Sequence, residues 1–287
     1  MQRMNEDADN PLECEEEEVM PQKEYDPNAL RRYYEESMYN PLIAEFVGGS
    51  DFHNFGYWED ETLHHEQACR NLMDKLLSFF PDKPRALLDV ACGKGATTRY
   101  LARFYEPCRV TGIDVSEKLI TTAKKNAPGC TFLIMDAVNL QFDDESFDGI
   151  ICVEAAFHFS SRQRFLKEAS RVLKPGGLLV LTDTLVTRRA AARRIGRTHA
   201  NHVDSISAYE DCLRQCGFSE VVVQDATREC WEGMYWGAVR FAHTKLLKGE
   251  IDAEELEQFL GPTYRRVPDM RNYLIVAARK GGAIGHG

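Results

Sequence analysis

Long hydrophobic runs are missing from this chain of 287 residues. No apolar stretch approaches the roughly 20 residues that a membrane-spanning helix needs. The N-terminus also lacks the basic segment followed by an apolar one that marks an export signal. We therefore expect a cytoplasmic protein without a membrane span, long enough to bury one sizeable core.

An excess of positive charge is also missing. Lys and Arg number 35 against 45 Asp and Glu, which gives a net charge of −10 at pH 7. Nine of the acidic residues and only two of the basic ones fall in residues 1–24, which we expect to form a disordered acidic tail. The rest of the chain is close to neutral, so it lacks the positive face that binds nucleic acid.

The nine cysteines do not form a complete metal-binding set. Their odd number and scattered positions fit reduced, mostly buried thiols rather than disulfides. Cys212 and Cys216 lie four residues apart on a predicted helix, but no second Cys or His pair accompanies them, as a zinc site requires. The sequence therefore predicts no structural metal.

The most informative segment that is present runs Leu-Leu-Asp-Val-Ala-Cys-Gly-Lys-Gly-Ala-Thr-Thr over residues 87–98. The apolar run that ends at Val90 predicts a buried parallel strand. The chain then turns through Gly93 and Gly95 into a helix that begins near Thr97. Glycine allows a sharp turn there and lets the backbone approach a ligand that a Cβ would push away.

Acidic residues follow the next two predicted strands. The strand over residues 109–113 leads into Asp114, and the strand over residues 131–135 leads into Asp136. An acidic residue about twenty positions beyond a glycine-rich turn can accept hydrogen bonds from the hydroxyls of a ribose. Further strands are predicted at residues 146–152, 176–183, 220–225 and 273–278.

This order of motifs resembles the class I S-adenosylmethionine-dependent methyltransferases over about residues 85–185. A Gly-x-Gly turn also occurs in nucleotide-binding dehydrogenases. Asp89 and the Val-Leu-Lys-Pro-Gly-Gly segment at residues 172–177 favour the methyltransferases, although Ala91 stands where that family usually has its first glycine. The resemblance implies an α/β fold with a Rossmann-like, seven-stranded, mostly parallel sheet, helices on both faces and an inserted helical lid. It also implies S-adenosylmethionine as the cofactor and S-adenosylhomocysteine as the product.

The resemblance further implies which residues hold the cofactor. Its methionine part would lie near the turn at residues 92–95 and its ribose at Asp114, with its adenine at Asp136. The implied cofactor residues are Asp89, Ala91, Cys92, Gly93, Gly95, Asp114, Leu119, Asp136, Ala137, Val153, Tyr33 and Trp58. An alternative for Asp136 is that it caps the N-terminus of a helix.

Three units are predicted along the chain. They are the acidic tail at residues 1–24, an entry segment at residues 25–80, and a core at residues 81–287 with helical insertions at about 186–205 and 229–268. The entry segment has a helix over residues 28–39 that ends at Pro41, then a loop, then a helix over residues 62–80. The first helix and the insertions are expected to cover the carboxyl ends of the strands, where open α/β sheets bind ligands.

The residues at the ends of strands four and five are the candidates for catalysis. His158 follows the fourth strand and Asp183 ends the fifth, so both are expected at the same edge of the sheet. An imidazole with a pKa near 6.5 suits a general base at neutral pH, with Asp183 as its orienting partner. The alternative is that His158 only lines the pocket and Asp183 only caps a loop.

The flanking segments are similar to small-molecule O-methyltransferases of the rebeccamycin sugar type. The similarity lies in Phe-Gly-Tyr-Trp-Glu-Asp at residues 55–60 and in residues 209–218 and 273–280. That group usually has two adjacent histidines after strand four, and here the first is Phe157. The similarity implies O-methylation of a small molecule in secondary metabolism.

The residues expected to contact the acceptor are Tyr57, Phe157, Arg188, Arg189, Trp231, Tyr235 and Trp236. The aromatic residues of the second insertion can instead pack the lid against the core. The arginines are either a solvated helix face or a clamp for an anionic acceptor, which would favour C-methylation of a prenyl diphosphate.

N-methylation and a non-catalytic S-adenosylmethionine-binding protein are further alternatives. We expect a monomer or a homodimer.

Overall fold

The computed structural model describes residues 27–80, 84–193 and 201–281. The predicted acidic tail at residues 1–24 lies outside the described residues, as do Arg194 and Arg197 of the first insertion. Among the helices that the structure describes, none is long and apolar enough to cross a membrane.

A seven-stranded sheet organises the described chain. Its strands are β1 (Leu87–Val90), β2 (Val110–Asp114), β3 (Thr131–Ile134), β4 (Phe147–Cys152), β5 (Leu173–Val186), β6 (Phe218–Asp225) and β7 (Met270–Lys280). The strand order is β3-β2-β1-β4-β5-β7-β6, with β7 antiparallel to both of its neighbours and the other pairs parallel. The predicted mostly parallel sheet is confirmed. The order reverses between β1 and β4, and such a reversal opens a ligand-binding crevice at the carboxyl ends of the strands.

Helices cover both faces of this sheet. They are α1 (Pro27–Ser37), α2 (Pro41–Phe46), α3 (His65–Leu77), α4 (Ala96–Leu101), α5 (Glu117–Asn126), α6 (Arg162–Val172), α7 (Arg188–Arg193), α8 (Ile206–Gln215), α9 (Gly233–Leu247) and α10 (Ala253–Arg266). Successive strand residues point to opposite faces. Leu87 therefore packs in one core cluster with residues of α3, α4 and α9, and Leu88 packs in the other with residues of α6 and α8.

The entry segment differs from its prediction at Pro41. The first helix ends before Pro41, as expected, but that proline begins α2 where a loop was predicted. Asn40 caps the helix, because its Oδ1 accepts the N–H groups of Leu42 and Ile43 at 2.9 and 3.1 Å. Proline suits the first helical position, where its fixed φ is helical and no partner needs its missing N–H. The predicted loop after Pro41 therefore starts one helix too early.

The two insertions also differ in detail from their predictions. The first was expected to be helical over residues 187–203, yet among its described residues only Arg188–Arg193 form a helix of that kind. The second contains α9 and α10 as expected, and a π-helical turn at Thr227–Glu232 leads into α9. The apolar spacing of the second insertion predicted its α-helices, but it did not predict the π-helical turn that precedes α9.

Candidate active site

Asp89 supports the glycine turn from beneath. It lies in β1 and is 1% exposed, and its Oδ2 accepts the hydroxyls of Thr97 and Thr98 at 2.6 Å each. Burial raises the pKa of this carboxyl to about 6. The two bonds fix the first turn of α4 against the strand. Asp89 therefore braces the turn, and its contact with a cofactor stays a prediction.

The turn itself uses left-handed backbone at alternate residues. The φ angles are +58° at Ala91, +55° at Gly93 and +80° at Gly95. A Cβ on Gly95 would lie 2.9 Å from the Cβ of Ala123, so only glycine lets α4 and α5 approach this closely. Ala91 adopts the same region although it has a side chain, and such strain occurs at functional sites. The result is a tight, concave turn that a ligand can approach.

Asp114 lies at the end of β2, directly beside this turn. Its Oδ2 accepts the N–H of Gly93 at 3.1 Å, and its Oδ1 accepts the N–H of Ser116 at 2.9 Å. Burial raises the pKa of the carboxyl, while these backbone N–H groups act in the opposite direction. A carboxylate has about four lone-pair directions, so it can accept further hydrogen bonds from a diol.

Asp136 follows β3 on the exposed side of the crevice. Its Oδ1 accepts the N–H of Val138 at 3.0 Å, which closes a turn. Because no helix follows, the alternative that Asp136 caps one is wrong. Ala137 and Leu119 are buried, at 5% and 3% exposure. An exposed acid beside an apolar wall is the combination that the polar edge and flat faces of adenine require.

Helix α1 crosses the crevice from the α5 side. The hydroxyl of Ser116 donates to Glu35 Oε1 at 2.5 Å. One turn further, the hydroxyls of Tyr39 and Thr122 are hydrogen-bonded at 2.9 Å. Both contacts join α1 and its extension to α5, close to the glycine turn.

The other side of α1 reaches the end of β4. The Tyr34 hydroxyl is hydrogen-bonded to Nε2 of His158, and the two rings meet edge to face at 5.1 Å. Tyr33 turns outward, is 39% exposed and lies 3.5 Å from Nη2 of Arg266. The sequence selected Tyr33 for the cofactor site, but Tyr34 is the tyrosine of this pair that contacts His158. Helical periodicity alone does not decide which of two adjacent tyrosines faces inward.

His158 and Asp183 do not form the predicted pair. His158 ends a 3-10 turn at Ala156–His158, and Phe157 lies beside its ring at 4.2 Å. Asp183 is fully buried, and its two carboxylate oxygens accept hydrogen bonds from Nε and Nη2 of Arg162 at 2.7 and 3.0 Å. The hydroxyl of Tyr209 also donates to Asp183, at 2.8 Å. A buried carboxylate needs a cation and hydrogen bonds, and here they come from α6 and α8.

Glu154 is a site residue that the sequence analysis missed. It follows Val153 at the end of β4 with a φ of +53°, and its N–H donates to the hydroxyl of Thr182 at 2.8 Å. Its Oε1 accepts the N–H of Phe55 at 2.6 Å and the hydroxyl of Tyr273 at 2.8 Å. Burial raises the pKa of this carboxyl to about 8. The rule that found Asp114, an acid at the end of a strand, could have found Glu154 as well.

Because Glu154 is buried, we expect the free energy of unfolding to depend on pH, and Glu154→Gln should remove this dependence. The folded pKa of about 8 exceeds the usual value of 4.5, so the folded protein holds a proton that the unfolded chain releases. This contribution is fully present below the unfolded pKa and is lost as the pH rises through 8. Between pH about 5 and 8, wild type should lose up to about 1.4 kcal/mol per pH unit relative to the variant.

Urea denaturation of both proteins across that pH range measures the difference. Glutamine keeps the acceptor oxygen for Phe55 and Tyr273, so the comparison isolates the proton. A difference in unfolding free energy that stays constant with pH would refute the prediction.

Trp58 fastens the entry segment to the second insertion. It is 9% exposed, its Nε1 donates to the carbonyl of Phe55 at 2.8 Å, and its N–H donates to the carbonyl of Glu229 at 2.9 Å. Its ring lies against Gly233 and Gly237 of α9 so closely that neither has room for a Cβ. Trp58 therefore packs the entry segment against α9, and its contact with the cofactor stays a prediction.

Gly237→Ala should destabilise the protein through this tryptophan. The added methyl overlaps the ring of Trp58, and overpacking of a core typically costs about 1–3 kcal/mol. Replacing glycine by alanine within a helix stabilises the helix by about 1 kcal/mol, and this gain is smaller than the expected cost of the clash with Trp58. In a Trp58→Leu background the same substitution should become neutral or stabilising. Chemical denaturation of the four proteins tests this; equal effects in both backgrounds would contradict it.

Several of the predicted acceptor residues contact residues of the entry segment or of the second insertion. Trp231 is 5% exposed and packs on Phe55 at 5.5 Å between ring centres. Tyr235 contacts Trp236, which is 62% exposed, and Tyr57 is held through its N–H by the carbonyl of Ala68. Of the predicted acceptor residues, Phe157 is the one whose contact with the His158 ring is established here.

Arg188 and Arg189 of the first insertion are bound to carboxylates. Arg188 forms a two-pronged contact with Asp204, both bonds at 3.0 Å, and Arg189 lies 3.2 Å from Asp269. These pairs are exposed, so they contribute little stability, but they offset the positive charge of the cluster. For Arg188 and Arg189 these pairs fit the alternative of a solvated helix face, and the diphosphate clamp stays a prediction.

Comparison with known proteins identifies the family. A family model for a methyltransferase domain matches residues 88–181. The 27-O-demethylrifamycin SV methyltransferase of Amycolatopsis mediterranei (strain S699) is 30% identical, over 88% of this chain and 97% of that protein. The sarcosine/dimethylglycine N-methyltransferase of Halorhodospira halochloris is 29% identical, over 82% of this chain and 89% of that protein.

A solved structure supports the fold. The geranyl diphosphate C-methyltransferase from Streptomyces coelicolor A3(2), in complex with Mg2+, geranyl diphosphate and S-adenosyl-L-homocysteine, has a TM-score of 0.64 at 16% identity. The match covers 88% of this chain and 97% of that chain. It is a likeness of fold.

The chain belongs to the S-adenosylmethionine-dependent methyltransferases. It is a methyltransferase enzyme whose cofactor is S-adenosylmethionine. The crevice fits S-adenosylmethionine, because the glycine turn, which has no room for a Cβ at Gly95, lies beside the carboxylate of Asp114. When bound, S-adenosylmethionine supplies an electrophilic methyl group.

Proposed function

We propose that the enzyme O-methylates a hydroxyl group of a small molecule. The observation that carries this proposal is the hydrogen bond between the Tyr34 hydroxyl and Nε2 of His158 at the end of β4. A hydroxyl nucleophile must lose its proton as it attacks, and a neutral imidazole is the side chain best suited to accept it near pH 7.

The proton would move through both residues. The acceptor hydroxyl gives its proton to the oxygen of Tyr34, while Tyr34 passes its own proton to Nε2 of His158. The acceptor oxygen exchanges its O–H bond for a bond to the methyl group, and the tyrosine oxygen exchanges one O–H bond for another. The tyrosine therefore ends the step unchanged, and the imidazole gains an N–H bond and ends it protonated. Because α1 carries Tyr34 across the crevice, the relay also requires that α1 lie over the crevice, in contact with His158 and Ser116.

Cofactor binding is assigned to the turn and the strand ends. Asp114 would accept the ribose hydroxyls, the backbone at residues 92–95 would hold the methionine part, and Asp136 would accept from the adenine amino group. Buried Ala137 and Leu119 would line the adenine faces, and Cys92 and Val153 complete the wall. These roles follow from position and chemistry, and they remain proposals.

The lid is assigned to the entry segment and the two insertions. Support comes from α1, which bonds to residues on both sides of the crevice, and from Trp58, which joins the entry segment to α9. The acceptor would enter beneath α1, beside Phe157. The likeness to sugar O-methyltransferases, a role in secondary metabolism and the oligomeric state stay predictions.

The competing outcomes are C- and N-methylation. Relatives and fold neighbours include enzymes whose names state O-, N- and C-methylation.

The full chain should be incubated with methyl-labelled S-adenosylmethionine and a panel of phenols, sugar alcohols, amines and prenyl diphosphates. We expect label in a methyl ether, located by mass spectrometry and NMR. Label only on carbon or nitrogen would overturn the proposal.

A further inference from the structure

The turn that carries His158 is held from behind by Asn201. Nδ2 of Asn201 donates to the carbonyls of Phe159 and Ala156 at 2.9 and 3.4 Å, so it brackets the turn at both ends. Its Oδ1 accepts the N–H of Arg162 at 2.5 Å. Asn201 is 3% exposed, and every hydrogen-bonding atom of its side chain is therefore used inside the protein.

The same asparagine is joined to the ion pair at the end of β5. Nη1 of Arg162 donates to the backbone carbonyl of Asn201, while Nε and Nη2 donate to Asp183. Nη2 also donates to the carbonyl of Thr184 at 3.0 Å. The guanidinium is 6% exposed and Asp183 is not exposed, so this fork is fixed in one geometry.

We infer that Asn201 is a positioning residue for His158: it fastens the turn at residues 156–159 to the Arg162–Asp183 ion pair. Asp183 then acts on His158 through two intermediate residues and not by the direct contact that the sequence suggested. The inference rests on the proposed function, in which His158 receives the proton.

Without a side chain at position 201, the carbonyls of Ala156 and Phe159 would lose a buried donor, and the turn would shift to find another partner. A displacement of about 1 Å at a reacting group can cost about 100-fold in rate. Since His158 lies between the two bracketed carbonyls, a shift of the turn moves its ring directly.

The experiment uses two variants of the full chain and one matched control. Asn201→Asp keeps the shape and the acceptor for Arg162 but removes both donations to the turn. Asn201→Ala removes the whole side chain without adding a charge. Ser205→Ala is the control, because it removes the N-cap of α8 a few residues away without touching the turn.

Both Asn201 variants should lower kcat by about 10- to 100-fold while the Kd for S-adenosylhomocysteine stays within about twofold. The control should lose melting temperature but keep kcat. NMR titration of the His158 ring, which needs no turnover, should give a shifted pKa in the Asn201 variants and not in the control. Unchanged kcat and an unchanged titration in both variants would overturn the inference.

The two proposals fail in different ways. If His158→Ala keeps full turnover, the proposed proton relay is wrong, while a shifted titration in the Asn201 variants would still show that Asn201 positions the ring. If His158→Ala is inactive but the Asn201 variants behave like Ser205→Ala, the relay stands and the positioning role of Asn201 is wrong.

Discussion

His158→Ala is expected to lower kcat by about 10²- to 10⁴-fold at neutral pH, the usual effect of removing a general base. The acceptor hydroxyl would keep its proton at the moment of attack, and Tyr34 would lose the atom to which it donates. Cofactor affinity should hardly change, because the proposed cofactor contacts are made by the turn at residues 92–95 and by Asp114, not by His158. Steady-state kinetics together with calorimetry of S-adenosylhomocysteine binding separates the two effects.

Part of the lost turnover should return as the pH is raised. An acidic acceptor then ionises without help from the enzyme, so the variant should gain on wild type above neutral pH. Tyr34→Phe should show a similar pH dependence, because it interrupts the same relay one atom earlier. Turnover equal to wild type at every pH would mean that His158 only lines the pocket.

Asp114→Ala is expected to weaken cofactor binding by about 1–3 kcal/mol, a rise in Kd of about fivefold to 150-fold. The substitution removes the proposed acceptor for two ribose hydroxyls. It also frees the N–H groups of Gly93 and Ser116 that now donate to this carboxylate, so the turn loses part of its support. At saturating cofactor, kcat should recover most of its value.

Glu117→Ala provides the matched control for Asp114. Glu117 is an exposed acid at the start of α5, three residues along the chain, and its removal changes the local charge by the same amount. Calorimetry should show near wild-type affinity for the control and a loss for Asp114→Ala. Equal affinities in both variants would remove Asp114 from the ribose site.

The sequence determined the frame of the molecule because the relevant signals are local. The apolar run that ends at Val90, the glycines at 93 and 95, and the acids after the second and third strands each follow from neighbouring residues. Glycine is required wherever two helices approach as closely as α4 and α5 do at Gly95. The positions of the strands followed from the same alternation of short apolar runs with helical spacing, whereas the mostly parallel seven-stranded sheet followed from the resemblance to a known family.

Other features of the site depended on contacts between residues far apart in the chain. Asp183 binds Arg162 across 21 residues, and Glu154 binds Phe55 across 99, so no local pattern connects them. Adjacent aromatic residues posed the same difficulty, since Tyr34 faces His158 while Tyr33 faces Arg266.

The sequence by itself therefore determined the fold class, the cofactor turn and the acids at the strand ends, because short-range backbone and hydrophobic requirements specify them. Only the tertiary structure decided which charged and aromatic side chains meet. Trp58 became a packing residue because Gly233 and Gly237 of a distant helix leave it space. Asp183 became an ion-pair partner because burial obliges a carboxylate to find a cation, and the folded chain, not the local sequence, brings Arg162 to it.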